Sequence, residues 1–378
     1  LWAFSFGVNA PLASTWMHAH GSSDTLVGLN TGCYYLGIAL AAALTPWAMR
    51  RLGWVALAAG MLGSAVTAAA FPWGGGLPGW FLCRALNGGA GALSLIPLET
   101  YVNRTSDPRR RALFIGCYAF CVALGMGLGN LVAMRMAAHQ PRTAFLLAGL
   151  AALAGAGVVA LWRPAFLEEA KSAAGRTPLH FRRNFLAFGS AWTQGFMEGG
   201  MVGLLPIYLL ALGLSRDRVG DLMGGLMVGV ILAQAPVAWL ADRLGRAAML
   251  CGCNVLALVG IACLTGPGGT AWLAGWLFVV GACSGAFYPL GLALLGERTP
   301  PADLARAGSW FLAINCLGSL TGPVVAGAAM DLFGRGALFV SGGAAVALVL
   351  GLWLVSLAFA GRARPVVETE AAPARAAA

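Results

Sequence analysis

Apolar runs of membrane-spanning length, divided by short clusters of arginine, glycine and proline, recur along the whole chain. In order they are Leu1 to Met17, Leu26 to Met49, Trp54 to Phe71, Trp80 to Val102, Ala112 to Met134, Thr143 to Trp162, Phe185 to Leu212, Val219 to Ala241, Ala247 to Thr265, Ala271 to Leu295, Ala307 to Met330 and Ala337 to Ala360. An apolar helix needs about 17 to 25 residues to cross the hydrocarbon of a bilayer. Each run reaches that length, so the pattern predicts an all-α membrane protein of twelve transmembrane helices.

The runs fall into two similar sets of six. Moving the sequence back by 192 positions places Val219-Gly220 on Val27-Gly28, Gly224 on Gly32, Gly229 on Gly37, Trp239 on Trp47 and Arg243-Leu244-Gly245 on Arg51-Leu52-Gly53. Farther on, Gly285-Ala286 falls on Gly91-Ala92 at 194, and Gly318 and Gly322 fall on Gly125 and Gly129 at 193. Small gaps in loops produce that drift. An even number of spans per repeat returns the chain to its starting face, which makes the two halves parallel about an axis along the membrane normal. The expected domains are a six-helix bundle at 1–163, a central cytoplasmic loop at 164–184, a second bundle at 185–360 and a disordered tail at 361–378.

Composition removes several rivals. Hydrophobic residues make up 59% of the chain and charged residues only 10%, against roughly 25% charged in soluble domains. The net charge of +10 lies in loops between spans and forms no basic groove, so it concerns topology and not nucleic acid. Of the 24 arginines and lysines, Arg135, Arg142, Arg216, Arg218 and Arg335 lie in one set of alternate loops, Arg84 lies within a span, and the rest lie in the other set. The positive-inside rule assigns the rich side, with both termini and the central loop, to the cytoplasm. Nine cysteines, mostly within spans, lack a secreted-domain spacing and are expected as free thiols. The chain opens on Leu1 inside an apolar run, which points to a start lying upstream. No Walker loop and no zinc-spaced His/Cys set is present, which argues against an ATP-driven pump, a cofactor-dependent protein or an enzyme.

Local motifs sharpen the reading. After the eighth span the chain reads Ala238-Trp239-Leu240-Ala241-Asp242-Arg243-Leu244-Gly245-Arg246, and the matching place in the first half reads Pro46-Trp47-Ala48-Met49-Arg50-Arg51-Leu52-Gly53-Trp54, with no acidic residue. The fourth span carries Arg84-Ala85-Leu86-Asn87-Gly88-Gly89-Ala90-Gly91. Together with the two six-helix halves, these features resemble the major facilitator superfamily, whose loop motif is G-x-L-A-D-R-x-G-R and whose fourth helix carries an R-x-x-x-G-x-G element. Glu99, Gly203-Leu204-Leu205-Pro206-Ile207-Tyr208-Leu209, Tyr288-Pro289 and Gly318-Ser319-Leu320-Thr321-Gly322-Pro323 are similar to the YcaD-like branch. The resemblance spans nearly the whole chain. It implies a monomeric transporter in a bacterial inner membrane, with a small molecule or ion, protons and the lipid bilayer as its partners.

Glu198 is the sharpest candidate residue. It falls near the middle of the seventh span, where an ionisable group is costly unless it faces a polar cavity or a partner. Gln194 shares its helix face one turn back. Such a carboxyl can take up and release a proton during transport. Arg84 either snorkels outward or serves as a charge partner in the cavity. Asn9, Tyr35, Tyr288 and Asn315 are further polar positions within spans, suited to line a cavity or to bond helices together. Asp242, Arg243, Gly245 and Arg246, with Arg51 and Glu99 near the same membrane edge, are the candidate gate, because a carboxylate that facing helix ends share in only one conformation biases that conformation.

Sulfur placement suggests a second substrate. Met197 and Met201, and Met223 and Met227, are each four apart and so share a helix face. Thioethers suit Cu(I), and the pairs are similar to those of CcoA-type copper importers, although Met223 stands where those carry a histidine. Core packing is the ordinary role of such methionines. The sequence thus points to a proton-coupled secondary transporter working by alternating access, with a Cu(I) importer and a non-transporting sensor or structural protein as the alternatives.

Overall fold

The computed structural model describes residues 1–105, 111–137, 139–164, 181, 183–266, 268–300 and 303–360. The expected tail at 361–378 and nearly all of the expected loop at 164–184 lie outside the described residues. The described residues form twelve α-helices: α1 (Trp2–Ala19), α2 (Asp24–Leu52), α3 (Trp54–Ala70), α4 (Leu77–Thr105), α5 (Arg111–Ala137), α6 (Pro141–Trp162), α7 (Phe185–Ala211), α8 (Arg216–Leu244), α9 (Arg246–Leu264), α10 (Thr270–Arg298), α11 (Leu304–Phe333) and α12 (Ala337–Ala360). Each corresponds to one apolar run.

Several helices extend a turn beyond their run, because polar caps and not hydrophobicity decide where a helix ends. Ser23 accepts the Leu26 N–H at 3.3 Å and Ser215 accepts the Arg218 N–H at 3.4 Å. These caps start α2 at Asp24 and α8 at Arg216, before the first apolar residues. Both helices are 29 residues long and both stop at a glycine of positive φ, Gly53 at 55° and Gly245 at 90°. The 192-residue repeat is therefore also a repeat of start and stop signals. Gly37 and Gly229, one repeat apart, do the same work in each half. A Cβ on Gly37 would collide with the Ala85 carbonyl of α4, and one on Gly229 with the Phe278 carbonyl of α10. Small residues let the crossing backbones touch.

Within the halves α2 packs on α4 and α1 on α5, mirrored by α8 on α10 and α7 on α11. Between the halves α2 meets α11, α5 meets α8 and α1 meets α7. Ten of the helices are long and apolar enough by themselves to cross a membrane, and α1 and α7 are not among them. The reason is position. Most of α7 is buried, 20 of its 27 residues, and α1 is covered by α5, α6 and α7. A helix facing protein can carry Ser5, Asn9, Ser14 and Thr15, or Gln194 and Glu198, at a cost that a lipid-facing helix could not offset. Leu40, Leu44, Leu150, Leu161, Leu232 and Leu348 lie exposed on the outer helices. Apolar surface of that extent is suited to lipid and not to water.

Candidate functional site

A cavity of about 530 Å³ lies between the halves. Its walls are Leu95, Glu99 and Val102 of α4, Tyr118 to Met126 along one face of α5, Gln194, Glu198, Met201 and Val202 of α7, Leu226, Met227, Val230 and Gln234 of α8, and Ser284, Gly285, Tyr288, Pro289 and Leu292 of α10. Glu198 has as many residues of α7 before it as after it. From that midpoint the walls run toward Val102 and Leu292, near the ends of α4 and α10 that carry the arginine-rich loops.

Glu198 is held by a short relay. The amide of Gln194, four residues back on α7, donates to Glu198 Oε2. Asn315 Nδ2 of α11 donates to Gln194 Oε1 at 2.5 Å and to the Ala191 carbonyl at 2.9 Å. Asn315 thereby fixes which way the Gln194 amide faces, and Gln194 fixes one carboxylate oxygen. Among the described residues Glu198 Oε1 has no protein donor, and it is the oxygen left for a proton or a ligand.

The structure brings Glu99, Gln194, Glu198 and Tyr288 to one cavity, with Asn315 directly behind them. Arg84, Asn9 and Tyr35 sit elsewhere. Arg84 is only 1% exposed, its guanidinium lies 4.9 Å from the centre of the Tyr34 ring, and its nitrogens have no acceptor among the described residues. Asn9 donates to Asn87 Oδ1 at 3.4 Å, and Asn87 donates to Thr67 Oγ1 at 2.8 Å, joining α1, α4 and α3. Tyr35 packs with Phe6, Ala10, Tyr34 and Val202 in an apolar cluster that Met126 also touches. Val202 and Met126 belong to that cluster and to the cavity wall, so the cluster separates Arg84 from the cavity. The methionine set divides. Met201 and Met227 line the cavity, joined by Met126, whereas Met197 and Met223 are buried in the main core.

At the arginine-rich end, Arg246 Nε lies 3.1 Å from Glu297 Oε1, and Arg246 Nη1 donates to the Ala293 carbonyl at 3.0 Å, tying the start of α9 to the end of α10. Asp242 is 73% exposed and lies 3.9 Å from Arg246. Arg243 stacks on Trp239 at 3.8 Å, Gly245 supplies the turn, and Arg51 is exposed. These contacts stay within single halves.

The arginine-poor end is crossed by contacts between the halves. Asp331, in the last turn of α11, accepts the backbone N–H of Asp24 at 3.0 Å and of Thr25 at 2.8 Å, and the Thr25 hydroxyl at 2.5 Å. A carboxylate of one half thus caps the first turn of a helix of the other, where unpaired N–H groups and the helix dipole both favour it. Around it, His18 Nδ1 lies 3.3 Å from Asp24, Arg335 Nε lies 3.8 Å from Asp24, and Arg335 Nη2 lies 3.3 Å from His18 Nε2. A second seam joins α5 to α8 through Arg135 and Asp221 at 3.3 Å and through Arg216, which donates to the Ala137 carbonyl at 3.0 Å. None of the gate residues expected from the sequence lies at this end. A signal existed, since Asp331-Leu332-Phe333-Gly334-Arg335 repeats the D-x-x-G-R spacing of Asp242 to Arg246.

The family model described as Major Facilitator Superfamily matches the chain twice, over residues 1–215 and 185–377. The chain belongs to the major facilitator superfamily. Among its relatives within that superfamily, the uncharacterized MFS-type transporter YfkF of Bacillus subtilis (strain 168) is 28% identical over 89% of this chain and 88% of its own length. The uncharacterized MFS-type transporter YcaD of Escherichia fergusonii is 25% identical over 87% and 86% respectively. Among solved folds, a bacterial homologue of the human lysosomal transporter Spinster, in an inward-facing and unoccupied conformation, superposes with a TM-score of 0.74 at 17% identity over 95% of both chains. As a member of this superfamily the protein is an integral membrane transporter, and not an enzyme.

Proposed function

We propose that this transporter moves a small solute across a bacterial inner membrane in exchange or in company with protons, its two halves rocking about the cavity. Glu198 is the observation that carries the reading. It is an ionisable side chain at a helix midpoint, with one oxygen fixed by Gln194, and it lines a cavity between the halves. A carboxylate in a largely apolar wall is costly to leave charged and unpaired. A proton or a solute therefore neutralises it, and exposing it to each side in turn couples the two movements.

The arginine-rich end faces the cytoplasm, by the positive-inside rule, and both termini lie there. The present conformation is then the inward-facing one, in which Asp331 holds the outer end shut and the cavity reaches toward the cytoplasm. Residues 1–163 and 185–360 act as the two moving bodies and 164–184 as their link. Outward opening would release Asp331 from α2 and bring the inner ends of α8 and α5 together. Asp242 would then meet the N-terminus of α5, which begins at Arg111 and packs along α8. An aspartate at the C-terminal end of its own helix gains from such an exchange, because the facing N-terminus carries the opposite partial charge.

Energised membrane vesicles containing the protein, offered a panel of labelled solutes, test the reading. At least one solute is expected to accumulate with an imposed proton gradient, and Glu198→Gln is expected to remove its response to the gradient. Uptake indifferent both to the gradient and to Glu198→Gln would sink the coupling.

A further inference from the structure

We infer that the solute is an amphipathic organic cation, with one positive centre on an apolar body, and that Glu198 and Glu99 are its counter-charges. The inference rests on the reading of the cavity as the transport site and adds the chemical class of what fills it.

The charged groups on the cavity wall are few and of one sign. Two carboxylates, Glu198 and Glu99, face it, and among the described residues no arginine, lysine or histidine does. The nearby buried cation, Arg84, is kept out of contact with the cavity by Tyr34 and the cluster that includes Tyr35 and Val202. The wall that a solute meets therefore offers negative charge and no positive charge among the described residues, and low-dielectric surroundings concentrate it. An anion is repelled from such a site, and a cation is drawn in.

The remaining wall favours an apolar body over a strongly hydroxylated solute. Two-thirds of the lining residues are apolar, 14 of 21. A sugar-like solute needs many hydrogen-bond partners, but the Gln194 amide is already engaged on both sides, by Asn315 and by Glu198. Tyr118, Tyr288, Gln234 and Ser284 are what is left. An apolar body instead finds valines, leucines and the three thioethers of Met126, Met201 and Met227. Tyrosine rings and methionine sulfurs are polarisable surfaces that a bulky, weakly hydrated cation meets well. A volume of about 530 Å³ lies within the roughly 300 to 1,000 Å³ of sites for drug-sized ligands.

Tetraphenylphosphonium and tetraphenylborate have nearly the same shape and opposite charge, so they separate charge from apolar fit. Equilibrium binding of each to the full chain in lipid nanodiscs, corrected for empty nanodiscs, is the measurement. Tetraphenylphosphonium is expected to bind at least tenfold more tightly than tetraphenylborate. Glu198→Gln is expected to weaken it about tenfold, which corresponds to about 1.4 kcal/mol, and Glu99→Gln by a smaller factor. Asp217→Asn, an acid exposed at the opposite end of the bundle, is expected to leave binding unchanged. Should Glu198→Gln fail to give a monodisperse protein, Glu99→Gln and the comparison of the two ions still decide. Equal or tighter binding of tetraphenylborate, or the absence of tetraphenylphosphonium binding, overturns the cation assignment. Gradient-driven uptake of a neutral solute such as uridine would overturn it while leaving the transport reading intact. If no solute of any charge binds and neither end of the bundle changes its accessibility, the transport reading fails as well.

Discussion

Asp242-Arg243-Leu244-Gly245-Arg246 and Asp331-Leu332-Phe333-Gly334-Arg335 share one spacing and lie at opposite ends of the C-terminal half. Each closes a long helix on a left-handed glycine, with φ of 90° and 88°, and each leaves an aspartate in the last turn, where its own helix dipole disfavours it. Their surroundings differ. Asp331 accepts two backbone N–H groups from the first turn of α2 in the other half, whereas Asp242 is exposed and lies 3.9 Å from an arginine of its own half. The same local chemistry is satisfied across the halves at one end and only within a half at the other. Sequence alike at both ends therefore does not set the state of either. What differs is whether a facing helix N-terminus is within reach, and the proposed rocking of the halves would not place both within reach together.

Breaking the satisfied end should have the largest effect. Asp331→Ala removes the acceptor of two N–H groups, and loss of a helix cap costs about 1 kcal/mol, near a fivefold shift between two states. The measurement is the distance distribution between spin labels at His20→Cys and Leu332→Cys, on a background in which the nine native cysteines are replaced. A longer population is expected to appear, and an unchanged distribution would mean that the cap does not hold this end shut. Asp242→Asn should act in the opposite sense, by about two- to fivefold, the range of a helix-dipole contact, so that the longer population shrinks. Growth of that population would remove Asp242 from the gate. Because the two sites are at opposite ends, their effects should add, and the double variant should fall between the single ones. Arg335→Gln should matter least. Its side chain is 44% exposed and lies 3.8 Å from Asp24, and exposed ion pairs contribute about 0 to 1 kcal/mol. An effect as large as that of Asp331→Ala would mean that ion pairing, and not helix capping, closes the end.

Much of the architecture is legible in the sequence. Run length reports directly on lipid thickness, which is why all twelve helices were found. The repeat reports on two superimposable halves, down to Gly37 and Gly229, each at the point where two backbones touch. Glu198 stood out because a charge at mid-span has few structural uses. Other polar positions within spans gave no such separation. Asn9, Tyr35 and Arg84 read like Gln194, Tyr288 and Asn315 along the sequence, yet the first three belong to packed layers away from the cavity and the others to the cavity or its support.

Sequence alone therefore determined which segments are helices, how many cross the membrane and that six of them echo the other six, because those properties depend on local hydrophobicity, caps and spacing. Only the tertiary structure decided which side chains share a wall. That depends on how far each helix is turned about its own axis, and this is set by contacts with several neighbours at once. Asp331 reaching the N-terminus of α2, 307 positions away, and Glu99 joining Glu198 on one cavity are outcomes of packing that no local pattern encodes.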